Sequence, residues 1–143
     1  MTRYLLDVNV LIALVDPDHT MFRRAETWFR TDPRLEWLIC PIVQMGVVRI
    51  MSGAHYPSPA TPAEAMESLF SLTRLGRCRF IADDLDLLDR AAFDGHSMRR
   101  GAHITDTYLL ALAAHHGAAL ATFDERIVTN AVRSADAEIF LIP

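Results

Sequence analysis

Three aspartates and one glutamine stand where apolar runs stop, scattered along the whole chain. They are Asp7 in Tyr4-Leu5-Leu6-Asp7-Val8-Asn9, Gln44 in Pro41-Ile42-Val43-Gln44-Met45-Gly46, Asp106 in Ile104-Thr105-Asp106-Thr107 and Asp124 in Ala121-Thr122-Phe123-Asp124. A carboxylate directly after a buried strand, or in the first turn of the next helix, points into the crevice at the strand ends, where open α/β sheets bind ligands. Any one of these acids could serve simply as a helix N-cap. Three of them converging would repel one another by on the order of several kcal/mol at an effective dielectric near 20. A divalent cation offsets that repulsion, and an all-oxygen donor set suits Mg²⁺ or Mn²⁺.

The elements that must position these residues follow from the pattern of apolar runs. Tyr4-Leu5-Leu6, Trp37-Leu38-Ile39-Cys40, Cys78 to Ile81, Ala119 to Thr122 and Ile139 to Leu141 read as strands. Between them, helices are expected over residues 10–15, 20–30, 41–52, 63–75, 84–93 and 103–116. Pro41 suits a first helical turn, and Thr61-Pro62-Ala63-Glu64 supplies an N-cap, a proline at the first helical position and a capping-box glutamate. Strands with continuous apolar runs alternating with helices predict a mainly parallel sheet covered on both faces, a three-layer α/β/α sandwich.

Composition narrows the function classes. At 143 residues, 51% hydrophobic and 22% charged, the chain is expected to form a single globular domain over residues 1–143. No apolar run approaches the roughly 20 residues that span a bilayer, and Asp7 interrupts the N-terminus too early for a secretory signal. The expected location is the cytoplasm, with no membrane partner. Cys40 and Cys78 lack metal-ligand spacing and read as buried reduced thiols. The net charge of −4 disfavours a generic polyanion binder, although acids gathered at one site account for much of it. All 14 basic residues are arginine, and a GC-rich genome explains that bias more simply than phosphate recognition does.

The motifs resemble those of a known family. Leu5-Leu6-Asp7-Val8-Asn9-Val10-Leu11-Ile12-Ala13-Leu14 is similar to the opening of PIN-domain ribonucleases of the VapC toxin type. Ile104-Thr105-Asp106-Thr107-Tyr108-Leu109-Leu110-Ala111 looks like the family's third motif, and Ala121-Thr122-Phe123-Asp124-Glu125-Arg126 like its fourth. The resemblance covers essentially the whole chain, in order. It implies a Mg²⁺-dependent endoribonuclease (Mn²⁺ a possible substitute), the toxin of a type II toxin–antitoxin system. Its substrate would be structured RNA of the tRNA or rRNA class, its inhibitor a VapB-type antitoxin, and its usual state a homodimer. Asp7, Asp106 and Asp124 would hold the metal, with Gln44 as a fourth catalytic position. Asn9 and Thr122 would orient the carboxylates, or else play plain turn and capping roles.

Gln44 is the departure from the pattern. The family's second motif carries a glutamate two residues before a glycine and five before an arginine, and Gln44-Met45-Gly46-Val47-Val48-Arg49 fits that frame with an amide in the acid's place. The amide keeps an acceptor oxygen, loses the charge and gains donors. An active variant, a weakened toxin, an engineered change and a silent PIN-like RNA- or partner-binding module are the open readings. A haloacid-dehalogenase-type phosphatase is excluded by Asn9 at its second aspartate position and by the absence of lysine.

Lesser candidates complete the reading. His103 and the arginines Arg99 and Arg100 could meet substrate beside the Asp106 motif. His115 and His116, adjacent on a helix, are expected to diverge rather than chelate. Phe22, Trp28, Phe29, Met45, Val48 and Met51, on the helices 20–30 and 41–51, are expected to leave an apolar groove for an antitoxin helix.

Overall fold

A computed structural model describes residues 2–143. Five parallel strands form one sheet: β1 (Arg3–Leu6), β2 (Glu36–Ile39), β3 (Arg77–Phe80), β4 (Ala119–Thr122) and β5 (Ile139–Leu141), in the order β3-β2-β1-β4-β5. The central strand β1 pairs with β2 through Tyr4 opposite Trp37, and with β4 through Leu5 opposite Leu120. Leu5, Leu6, Leu38 and the whole of β4 are buried, as expected of strands covered on both faces.

The helices are α1 (Val8–Val15), α2 (Phe22–Thr31), α3 (Pro41–Met51), α4 (Pro62–Thr73) and α5 (His103–His115). Among the first four, α1 packs against α2, α3 and α4, and α3 against α4, while α5 lies on β4 and β1. The chain runs outward from β1 to β2 and β3, then returns to place β4 on the other side of β1. Right-handed crossovers in opposite directions put α5 on the face opposite α1–α4. The expected three-layer architecture is therefore present, with its topological switch point between β1 and β4.

Local chemistry explains the element ends. Asp7 caps α1, Pro41 opens α3 after Cys40, and Thr61 and Glu64 form the reciprocal capping box of α4. Helices α1 and α3 approach so closely that a Cβ on Gly46 would lie 2.7 Å from Val8 Cγ2, which is why glycine stands there. Cys40 and Cys78 are free thiols, and burial pushes each pKa up to about 12, consistent with unreactive reduced cysteines.

One element departs from expectation. The helix expected over residues 84–93 is absent, and the chain runs there in irregular turns. Asp86 accepts from Leu88 N at 2.8 Å and Asp89 from Ala91 N at 2.9 Å, so these side chains hold the backbone in Asx turns that compete with a helix. Leu88, at 85% exposed, buries nothing that could favour helix instead. The Tyr108 hydroxyl donates to Leu85 O at 2.8 Å and anchors this segment to α5.

Candidate metal centre

At the switch point between β1 and β4, Asp7 and Asp124 are joined through Thr122. Asp7 follows β1, and its backbone N–H donates to Ala121 O on β4 at 3.0 Å, so the ladder itself fixes the residue at the strand ends. Its carboxylate is 5% exposed and accepts from Val8 N at 2.8 Å and from the Thr122 hydroxyl at 2.7 Å. Thr122, fully buried at the end of β4, also accepts from Asn9 Nδ2 at 3.3 Å and from Asp124 N at 3.0 Å. One hydroxyl thus uses its single donor and both acceptor sites. Asn9 Oδ1 in turn accepts from Phe123 N at 3.4 Å. Through Asn9 and Thr122, Asp7 and Asp124 belong to one hydrogen-bond network that joins residues 115 positions apart in the chain.

Asp106 joins from the third element, in the first turn of α5. Its presence is felt electrostatically: burial raises the Asp7 pKa to about 6, and the Asp106 and Asp124 charges add to that rise against the lowering by Thr122 and Val8. The Asp106 carboxyl is itself raised, first by burial and then by Asp124. Asp7 and Asp106, both raised by burial and by neighbouring acid charge, stand with Asp124 as hard oxygen donors of the kind that match Mg²⁺ or Mn²⁺. In chemistry this donor set suits the expected metal; among the described residues the three carboxylates do not all lie within 4.8 Å of one another, so they would have to draw together around the ion.

Proton and cation compete for Asp7 in this arrangement. The expected result is that Mg²⁺ affinity falls about tenfold per pH unit below about pH 6, as Asp7 takes up its proton. Calorimetric titration across that range checks it, and a flat profile from pH 5 to 7 would count against Asp7 as a ligand.

Asp124 has a partner that the sequence reading missed. Arg126 forks onto it, Nε to Oδ1 at 3.0 Å and Nη2 to Oδ2 at 3.1 Å, and its guanidinium holds the Asp124 carboxyl below its ordinary range. The spacing of two in Asp124-Glu125-Arg126 was the only available signal. Arg99 Nη1 donates to Arg126 O at 2.8 Å, bringing that arginine to the same rim. His103, at the start of α5, lies close enough to favour ionisation of both Asp106 and Asp124.

Gln44 is placed differently from the three acids. It lies one turn into α3 and, among the described residues, makes no side-chain hydrogen bond with any of them. It lines an apolar cavity of about 820 Å³ between α3, α4 and β3. Met45, Met66, Phe70 and Phe80 surround that groove with about 60% of each residue exposed.

This groove differs from the expected one in its walls. Phe29 and Met51 are core residues, and Trp28 packs edge-on to Tyr4 at 5.2 Å and against Phe140 at 5.7 Å. Of the six residues, Met45 and Val48 line the groove, which uses α4 rather than α2 as its second wall. Helical periodicity marks an apolar face but does not say which neighbour it meets. The two adjacent histidines are a second correction. His115 and His116 converge on Asp84, with His116 Nε2 at 2.7 Å and His115 Nε2 at 3.9 Å from the same Oδ1.

Comparison with known proteins agrees with this geometry. The PIN domain family matches residues 4–132. Ribonuclease VapC44 of Mycobacterium tuberculosis is 39% identical over 133 residues, spanning 93% of this chain and 94% of that protein. Ribonuclease VapC39 of the same organism is 38% identical over 128 residues, spanning 89% and 92%. The crystal structure of VapBC2 from Rickettsia felis bound to a promoter DNA fragment overlaps with a TM-score of 0.58, over 99% of this chain and 100% of that one. At 12% identity it shows a shared fold.

Proposed function

The chain belongs to the PIN-domain family, as a relative of the VapC ribonucleases, and from that premise we infer that it is a VapC-type ribonuclease toxin that cuts RNA at its Asp7–Asp106–Asp124 cleft. The observation that carries the assignment of the cleft is the network Asp7–Thr122–Asp124, closed across the β1–β4 switch point with Asp106 beside it. Asp7, Asp106 and Asp124 would hold Mg²⁺ or Mn²⁺. When bound, the ion supplies charge neutralisation at the phosphate and lowers the pKa of water.

The chain's own residues do the remaining work. Thr122 and Val8 N–H fix the direction of the Asp7 carboxylate, so that no side-chain freedom is lost when ligand arrives. Asn9 ties the start of α1 to the turn after β4 and keeps the two aspartates in register. Arg126 and Arg99 at the rim present cations to phosphates flanking the scissile bond, contacts that position a strand without reading its sequence. Hydrolysis then forms a bond from water oxygen to phosphorus and breaks the phosphorus–ribose oxygen bond opposite, with no covalent enzyme intermediate.

The test is cleavage of total RNA in Mg²⁺ or Mn²⁺ by the wild-type chain and by Asp106→Asn. Activity in the first and its loss in the second support the assignment; equal activity in both removes Asp106 from the site. Failure of the wild type to cut even in Mn²⁺ favours the silent RNA- or partner-binding reading.

Gln44 lies on α3, which follows β2 at the same end of the sheet as the acids. Gln44→Glu restores a negative charge there and is expected to tighten Mg²⁺ binding by about tenfold, equivalent to about 1.4 kcal/mol. Calorimetry on both forms decides: unchanged affinity would assign Gln44 to the groove alone. The groove it lines is the proposed seat of an antitoxin segment, because it is apolar, open and continuous with a residue of the catalytic motif.

A further inference from the structure

Away from the acidic cleft, one side-chain cluster has the chemistry of a different metal. His115 is the last residue of α5, and His116 caps it with φ −99° and ψ 15° before Gly117 turns the chain at φ +69°. Adjacent residues inside a helix point about 100° apart. Here the second histidine has already left the helical path, and the two rings meet edge to face with centroids 5.2 Å apart. Asp84, from the irregular segment after β3, closes the third side. One nitrogen from each ring and one carboxylate oxygen all lie within 4.8 Å of one another.

We propose that Asp84, His115 and His116 form a second metal site, selective for Zn²⁺-class transition ions and separate from the Mg²⁺ cleft. Two imidazoles and one carboxylate are a borderline donor set, which favours Zn²⁺, Co²⁺ or Ni²⁺ over Mg²⁺. Bonds of about 2.0–2.1 Å in a tetrahedron put neighbouring ligand atoms roughly 3.3 Å apart. The observed 2.7 and 3.9 Å separations from Asp84 straddle that value, so small side-chain rotations suffice. Asp84 and His115 are each about half exposed, which leaves an entry path and a position for water. Asp106 lies nine residues earlier on α5, about 14 Å away at 1.5 Å per residue, too far to share the ion.

The site has a structural consequence. Residues 81–94 lack regular structure and are tied to α5 by the Tyr108–Leu85 and Asp84–His116 hydrogen bonds and by Phe93 stacked on Tyr108. A metal ion there clamps that segment to the end of the helix whose beginning carries Asp106. The role is that of a staple rather than a reaction centre.

The experiment uses the full chain, stripped with chelator and titrated with Co²⁺ in excess Mg²⁺ so that the acidic cleft is occupied. The expected result is one Co²⁺ per chain with visible absorption typical of nitrogen–oxygen coordination, displaced by Zn²⁺. Asp84→Asn and His116→Gln should each weaken it at least tenfold, and the double variant His115→Gln/His116→Gln should lose it. Zn²⁺ should also raise the melting temperature of the wild type but not of the double variant. Because these side chains lie at the surface, circular dichroism should show the variants folded, and RNA cleavage in Mg²⁺ should persist in them. Absence of the Mg²⁺-resistant Co²⁺ site in the wild type, or its full retention in the double variant, overturns the proposal without touching the assignment of the acidic cleft.

Discussion

Asp7→Asn is expected to abolish RNA cleavage and, with divalent ions removed, to make the protein more stable at pH 7. The loss of rate should be on the order of a thousandfold, since a ligand that helps neutralise phosphate charge is asked for several kcal/mol and each 1.36 kcal/mol is tenfold. The gain in stability comes from the same burial. In the unfolded chain this carboxyl titrates near 3.8; in the folded chain it titrates near 6. The folded state therefore holds the proton more tightly, and the stability that proton contributes is complete below about pH 4 and lost as pH rises through 6. By pH 7 the deficit is about 3 kcal/mol. Asparagine carries no charge and recovers about 2 kcal/mol of it, allowing for a poorer hydrogen bond with the Thr122 hydroxyl. That is a rise of about 5–8 °C in melting temperature for a chain of this size. Melting both forms in chelator at pH 7 and pH 4.5 checks it: the variant's advantage should shrink at the lower pH. Equal melting at pH 7 would mean that Asp7 ionises without cost.

Phe70→Asp should weaken antitoxin binding at least hundredfold while leaving RNA cleavage intact. Phe70 stands on α4 at the mouth of the apolar groove, 59% exposed, where it touches none of the acids' hydrogen-bond network. Central aromatic residues of such interfaces carry 2 kcal/mol or more each, and an aspartate in their place adds the burden of a buried, unpaired charge. Because the side chain lies largely in solvent, the fold should be little affected. Calorimetry with the cognate antitoxin, together with a cleavage assay, separates the two surfaces. If antitoxin affinity holds and a dimer dissociates instead, the groove belongs to a second copy of this chain.

Much of this architecture was legible because short apolar runs and strand-end acids are strong local signals. Each of the five strands was readable from its own residues, and Asp7, Asn9, Thr122 and Asp124 could be placed together once the sheet was parallel. Leu85 and Leu88 misled where Asp86 and Asp89 intervened: an aspartate before a leucine serves equally to cap a helix or to close an Asx turn, and only the burial available nearby decides between them. The second wall of the apolar groove was not legible for a similar reason. Met45 and Val48 reveal an exposed face of α3, but that α4 rather than α2 stands beside it is a fact of tertiary packing. Arg126 went unread and the histidine pair was expected to diverge, because their partners, Asp124 and Asp84, are recognised by side-chain direction and not by residue type.

The centrality of β1 also sets a clock on the toxin's birth. Asp7 leaves the ribosome well before its hydroxyl partner Thr122, which follows 115 residues later. At 5–20 residues per second, roughly 6–23 s of synthesis separate the two halves of the cleft. During that interval β1 has no complete β4 to pair with, Asp106 arrives only near its end and Asp124 not at all, and a growing polypeptide without its cleft is harmless to the RNA that is translating it. Hazard begins only when the last quarter of the chain folds back against its opening strand.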